Sequence, residues 1–280
     1  MRSLLFLFCF LCFASCSKND RIKPAKEKPT ILVSIAPYQK MIEQIAGDKV
    51  TCITVVPAGV DPHHFEPTLQ KMHSLLKANL WFAIGEDFEG KIYPVLRQKN
   101  SNLQAISLLD IFSTVDRIRL SISGNPKPLY YSHADHEHGH AHETDKDTHI
   151  WLSPKLDIAQ VELITYYLKQ LLPKDKPFLE RNSASLIKQL SALQQRLQRD
   201  LAPFKNAAIV TNHEAFSYFC RDFSLSQIPV IASDFKELGA QDLSKVFLML
   251  QKSNVRAAIL QPEHPQKALT MIAGQNHYSI

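Results

Sequence analysis

Residues 174–202 run KDKPFLERNSASLIKQLSALQQRLQRDLA, with no glycine and one proline near the start. Phe178, Leu186, Leu190, Leu193 and Leu197 fall on helical spacing, so the segment reads as one amphipathic helix. Uninterrupted, such a helix is on the order of 40 Å long, more than one small α/β layer needs. It reads as a beam between two bodies, because too few heptads persist for a coiled coil.

Strands and helices alternate on both sides of the beam. Before it, residues 31–36, 50–56, 80–84 and, more weakly, 104–108 read as strands. Pro37 opens a helix that Gly47 ends, and Pro67 opens another carrying Leu69, Met72, Leu75 and Leu76. A helix over 154–172 then runs to Pro173. After the beam, strands are expected over 207–211, 228–232 and 255–261, and helices over 214–222, 241–253 and 266–273. This alternation predicts parallel βαβ units. The expected fold is α/β, with two parallel-sheet βα lobes joined by one long rigid helix and a metal site in the cleft between them.

The N-terminus reads MRSLLFLFCFLCFASC. Its apolar run is too short to span a bilayer and suits a signal peptide over 1–15. Phe13-Ala14-Ser15-Cys16 resembles a lipobox, which makes Cys16 a candidate lipidation site, and residues 16–29 read as anchor and tether. The expected organisation continues with an N-terminal lobe over 30–173, the helix over 174–202 and a C-terminal lobe over 203–280. With the signal gone, Cys52 and Cys220 remain, too few for a disulfide framework. The net charge of +5 is modest, no basic patch is interleaved with aromatics, and no glycine-rich phosphate loop is present. Nucleic acid is therefore not an expected partner.

Six of the twelve histidines crowd one stretch: His133, His136, His138, His140, His142 and His149. Neutral imidazole is the commonest ligand for borderline transition metals. The 132–148 segment, with Asp135, Glu137, Glu143, Asp145 and Asp147 among the histidines, reads as a polar loop and an accessory metal-binding stretch. Two further histidines sit where α/β folds gather ligands. His63, in DPHHFEP, follows the second strand, and His213, in TNHEAF, follows the first strand after the beam. His149 marks the return of the loop to ordered chain. Three imidazoles suit Zn²⁺ better than Mn²⁺ or Mg²⁺.

DPHHFEP, the histidine-rich loop, DTHIWLSP, the beam helix, TNHEAFSYF and the segment FKELGAQDLSKVFLMLQKSNVRAAILQPEHPQKALTMIA occur in that order. Together they resemble the zinc-type (ZnuA-like) metal-specific solute-binding proteins of bacterial ABC importers, the cluster A-I family. The resemblance implies Zn²⁺ as transported ligand, with Mn²⁺ or Fe²⁺ as the alternative. It implies His63, His149 and His213 as metal ligands, with His64 as a fallback or fourth ligand. It also implies an ABC permease with its ATPase as partner, a monomer, and a place in the periplasm or at the outer face of the cytoplasmic membrane. The family's acidic residue near the end of the C-lobe has no counterpart before Ile280. Water, His64, a loop histidine or nothing is therefore expected at the fourth position, and the second lobe is expected to be shortened. His264 and the Glu of LQPEHP are expected to be a surface and a structural residue.

Two other roles are weighed. A zinc hydrolase needs a general base beside an activated water, but Ser217 breaks HExxH after His213-Glu214, so no enzyme is expected. A zinc buffer, chaperone or adhesin would keep the fold without feeding a transporter.

Overall fold

The computed structural model describes residues 27–110, 147–230, 240–262, 264–276 and 278. The signal segment, Cys16 and loop histidines His133, His136, His138, His140 and His142 lie outside the described residues, as does Glu263.

Four strands form the first sheet: β1 (Thr30–Val33), β2 (Thr51–Thr54), β3 (Leu80–Ala83) and β4 (Gln104–Ser107). Their order is β2-β1-β3-β4 and every pairing is parallel. Ile31, Leu32, Val33 and all of β3 are buried. Helices cover both faces of such a sheet, so its inner strands read as continuous apolar runs rather than alternating ones. Helix α1 (Ala36–Ala46) carries Pro37 in its first turn, α2 (Leu69–Leu75) is capped by Thr68, and α3 spans Asp87–Lys99.

The sequence reading contains no counterpart of α3. Gly90 and Pro94 interrupt its pattern; Pro94 lacks the N–H that the Gly90 carbonyl would accept. Burial of Phe88, Ile92, Tyr93 and Leu96 outweighs that loss.

Helix α4 (Pro154–Leu171) is capped by the Ser153 hydroxyl, which accepts the Leu156 N–H. Helix α5 (Lys176–Leu201) is the beam, 26 residues long. Its N-terminal half packs on α1 and α4, burying Leu179 and Leu186 in the first lobe's core. Gly47 makes the close approach feasible. Its φ of +55° suits glycine, and a Cβ there would meet the Phe178 ring of α5 at 3.3 Å. The C-terminal half of α5 is only partly covered, and Ala202–Phe204 then leads into the second sheet.

In that sheet, β5 (Ala208–Thr211) lies between β6 (Ser226–Pro229) and β7 (Val255–Ile259), all parallel. Among the described residues, helices α6 (Ser217–Phe223), α7 (Ala240–Lys252) and α8 (Lys267–Asn276) accompany it. Val210, Ile228, Val246, Leu250, Leu269 and Ile272 form a core separate from the first. The two lobes touch through α6. The Ser153 hydroxyl donates to Asp222 Oδ2, and the Tyr218 hydroxyl donates to the Asp147 carbonyl at 2.9 Å. Cys52 and Cys220 are free, and burial pushes their thiols up to about 12 and about 11. No described helix is long and apolar enough to cross a membrane.

Two stability predictions follow from the first lobe. Gly47→Ala combines an unfavourable φ with a close ring contact and should cost roughly 2 kcal/mol. A urea-denaturation loss under about 0.5 kcal/mol would show that the helix can yield. The second concerns Asp157 on α4, whose carboxyl burial pushes up to about 8. The folded protein thus keeps a proton that the unfolded chain releases near its usual ~3.9. This stabilisation is complete below about pH 4 and is lost as pH rises through about 8. Asp157→Asn should therefore lose less stability than the parent between pH 5 and pH 8; parallel declines would exclude Asp157 as the source.

Candidate metal centre

The chain after β2 and the chain after β5 each carry a histidine, and the rings of His63 and His213 lie with centroids 5.6 Å apart. His63 sits in a short 3-10 turn, Pro62–His64, whose start Asp61 caps by accepting the His63 N–H at 3.0 Å. His149 stands just before the 3-10 turn Ile150–Leu152, with its backbone N–H on Asp147 Oδ1 at 3.0 Å. His213 lies two residues beyond β5, where the Thr211 hydroxyl holds its carbonyl at 2.9 Å. His149 and His213 are each 7% exposed, and His63 is partly buried.

The rings converge through Nε2. The His63 and His149 Nε2 atoms are 3.3 Å apart, and those of His149 and His213 are 3.0 Å apart. One nitrogen from each ring lies within 4.8 Å of the other two.

Each Nδ1 is held from behind. That of His63 faces Glu86 Oε2 at 3.0 Å, and that of His149 faces Asp147 Oδ1 at 2.8 Å. That of His213 faces Gln261 Oε1 at 3.0 Å, and the same oxygen takes the His213 backbone N–H at 3.3 Å. A backbone N–H can only donate, so this Gln261 atom is an acceptor and the imidazole Nδ1 beside it carries the proton. Ionised carboxylates impose the same tautomer on His63 and His149. Three Nε2 lone pairs therefore point at one another. Such an arrangement needs positive charge among them, supplied by a proton or a metal cation. Tetrahedral Zn²⁺ with Zn–N near 2.05 Å places ligand nitrogens roughly 3.3 Å apart, close to the spacing of these atoms.

The support behind His63 is itself held by the first lobe. Glu89 is fully buried; it accepts the N–H groups of Ile84 and Gly85 at 2.8 Å and the Ser34 hydroxyl. This clamps the β3–α3 turn that presents Glu86. Gly85 sits in it with a φ of +97°, and a Cβ there would strike Leu109 at 2.7 Å. Burial pushes the Glu89 carboxyl up to about 7, against the pull of those donors. Glu86, 5% exposed, also accepts the Thr148 hydroxyl.

Electrostatics differ among the three rings. For His63, burial disfavours the charged form, but the Glu86 hydrogen bond and the charges of Glu86, Asp61 and Asp147 outweigh it and raise its pKa. For His213, burial and then the positive potentials of His149, His264 and His63 lower its pKa to about 3.

His64 turns away from the cluster. Its Nδ1 meets Asp61 Oδ2 at 3.1 Å, its side chain is 60% exposed, and it is not in the converging group. His264, expected at the surface, is half-buried and packs its ring against His213 with centroids 4.2 Å apart, next to the Pro265 carbonyl that accepts from Asn212 Nδ2. The sequence reading also missed Glu86 and Gln261 as supports. Asp147, two residues before His149, carried a local signal. Glu86 and Gln261 carried none, because their partners are distant in sequence.

The family model ZnuA, described as zinc-uptake complex component A, periplasmic, matches residues 31–278. The chain belongs to the ZnuA family. A putative metal-binding protein of Chlamydia trachomatis serovar D is 30% identical over 257 residues, covering 92% of this chain and 83% of that one. The zinc-binding lipoprotein AdcA of Streptococcus pneumoniae serotype 4 is 29% identical, covering 95% of this chain and 51% of AdcA. A crystal structure of ZnuA superimposes with a TM-score of 0.73 at 28% identity, covering 90% of this chain and 89% of that one. The ZnuA-type fold is a two-lobed binding protein with parallel sheets and a long helix, as the alternation around residues 174–202 predicts.

If Glu86 orients and strengthens His63 as a ligand, Glu86→Gln should weaken zinc binding about 10- to 100-fold. Competition with a chromophoric chelator measures this, and an unchanged affinity would remove Glu86 from the centre.

Proposed function

We propose that this protein captures Zn²⁺ outside the cytoplasmic membrane through His63, His149 and His213 and delivers it to an ABC permease driven by an ATPase. One observation carries the reading: three imidazole Nε2 atoms converge while each Nδ1 is committed to an acceptor. Membership of a zinc-uptake family and a relative named as a zinc-binding lipoprotein support the cargo and the role. Neutral nitrogen donors with no carboxylate oxygen among them favour Zn²⁺ over Mn²⁺. Lipidation of Cys16 would keep the protein at the membrane's outer face, beside its permease.

In this mechanism the first lobe supplies two ligands and the second supplies one, so bound zinc ties the lobes together. Three protein ligands leave a fourth position for water, which gives the metal a way in and out that a closed four-ligand site lacks. The histidines of 133–142 would collect zinc weakly and pass it inward.

Competitive Zn²⁺ and Mn²⁺ titration of the protein and of His63→Ala, His149→Ala and His213→Ala tests this. One tight zinc per chain is expected, with a loss of at least about 100-fold on each substitution. That loss corresponds to about 2.7 kcal/mol. Deleting residues 133–142 should lower the number of weakly bound zinc ions and spare the tight one. If the three alanine variants kept parental affinity, the cleft would not be the zinc site. Tighter binding of Mn²⁺ would change the cargo.

A further inference from the structure

We propose that Gln261 makes His213 the labile ligand of the three, so that the second lobe lets go of the metal first and the first lobe keeps it until transfer. The inference rests on the three-histidine reading above. It comes from an asymmetry behind the rings. His63 and His149 donate their Nδ1 protons to carboxylates, Glu86 at 3.0 Å and Asp147 at 2.8 Å. His213 donates to the neutral amide oxygen of Gln261 at 3.0 Å.

A carboxylate behind an imidazole pulls on its N–H, enriches the opposite nitrogen and strengthens its bond to a metal; a neutral amide does so much less. Net charge points the same way. Glu86 and Asp147 set two negative charges behind the first-lobe ligands, enough to balance a divalent cation. In the second lobe, the ring packed against His213 is another imidazole, His264, with centroids 4.2 Å apart.

Gln261 is also firmly fixed, so its neutrality does not reflect looseness. Its backbone N–H donates to Asn212 Oδ1 at 2.8 Å, and Asn212 Nδ2 in turn donates to the Pro265 carbonyl at 2.8 Å. This ties Gln261, two residues beyond β7, to the residue before His213. Gln261 thus orients His213 as well as a carboxylate would without adding the charge. It is a positioning residue that sets ligand strength.

The lobes are separate cores joined by α5 and a few contacts at α6, so a slight tilt moves His213 relative to His63 and His149. The weakest of the three bonds is then the one that the tilt stretches.

The test is zinc release from the loaded protein into excess chromophoric chelator, followed by stopped flow. Glutamate has glutamine's shape and offers the same oxygen to both His213 donors. Gln261→Glu should therefore slow release about tenfold or more with association little changed, whereas Gln261→Ala should speed it. A purely structural role would make both variants faster. In parallel, His213→Ala should retain at least about tenfold more residual zinc affinity than His149→Ala or His63→Ala. Release from Gln261→Glu at or above the parental rate would overturn the proposal, as would a His213→Ala loss equal to that of the other two. If none of the three alanine variants changed zinc affinity, the metal site itself would fall, a result distinct from either of these.

Discussion

Two bare imidazole nitrogens 3.0 Å apart repel each other, and a third nearby adds to the strain. Nothing in the hydrophobic packing requires that arrangement. It persists because each ring is fastened at its far nitrogen to a placed acceptor: a glutamate on the turn that Glu89 clamps, an aspartate two residues away, or a glutamine tied to Asn212. Under the proposed function, rings fixed in this way spend little on ordering side chains when a cation binds. The electrostatic cost of assembling the lone pairs is what a cation relieves.

That arrangement depends on the layers beneath it. Parallel strands end together, and the turns after them face the same side of their sheet. β2 and β5 belong to different sheets with different cores, yet each presents a histidine to the same gap. The buried Glu89 holds the turn that aims Glu86, and Gly85 supplies the backbone conformation the turn requires. A buried carboxylate is an expensive support, offset here by two backbone donors and a hydroxyl.

The beam helix is less symmetric than its sequence suggests. Its first half is buried in the N-terminal lobe, so it belongs to that body and reaches toward the other.

The strand and helix alternation and the beam were legible because burial on both faces writes continuous apolar runs and a one-sided helix writes a periodic one. Helix α3 was not, since Gly90 and Pro94 erase its local pattern while contacts distant in sequence preserve it. His63, His149 and His213 were legible from the motifs around them, each next to a strand end or a loop return. The roles of Glu86, Gln261 and His264 were not; His64, the fallback ligand beside His63, has its Nδ1 on Asp61. The sequence by itself determined which elements form and which histidines stand at their ends, because those properties depend on near neighbours. Only the tertiary structure decided which ring nitrogens meet and what stands behind His63 and His213, because those partners lie 23, 48, 64 and 86 residues apart and are joined by packing alone.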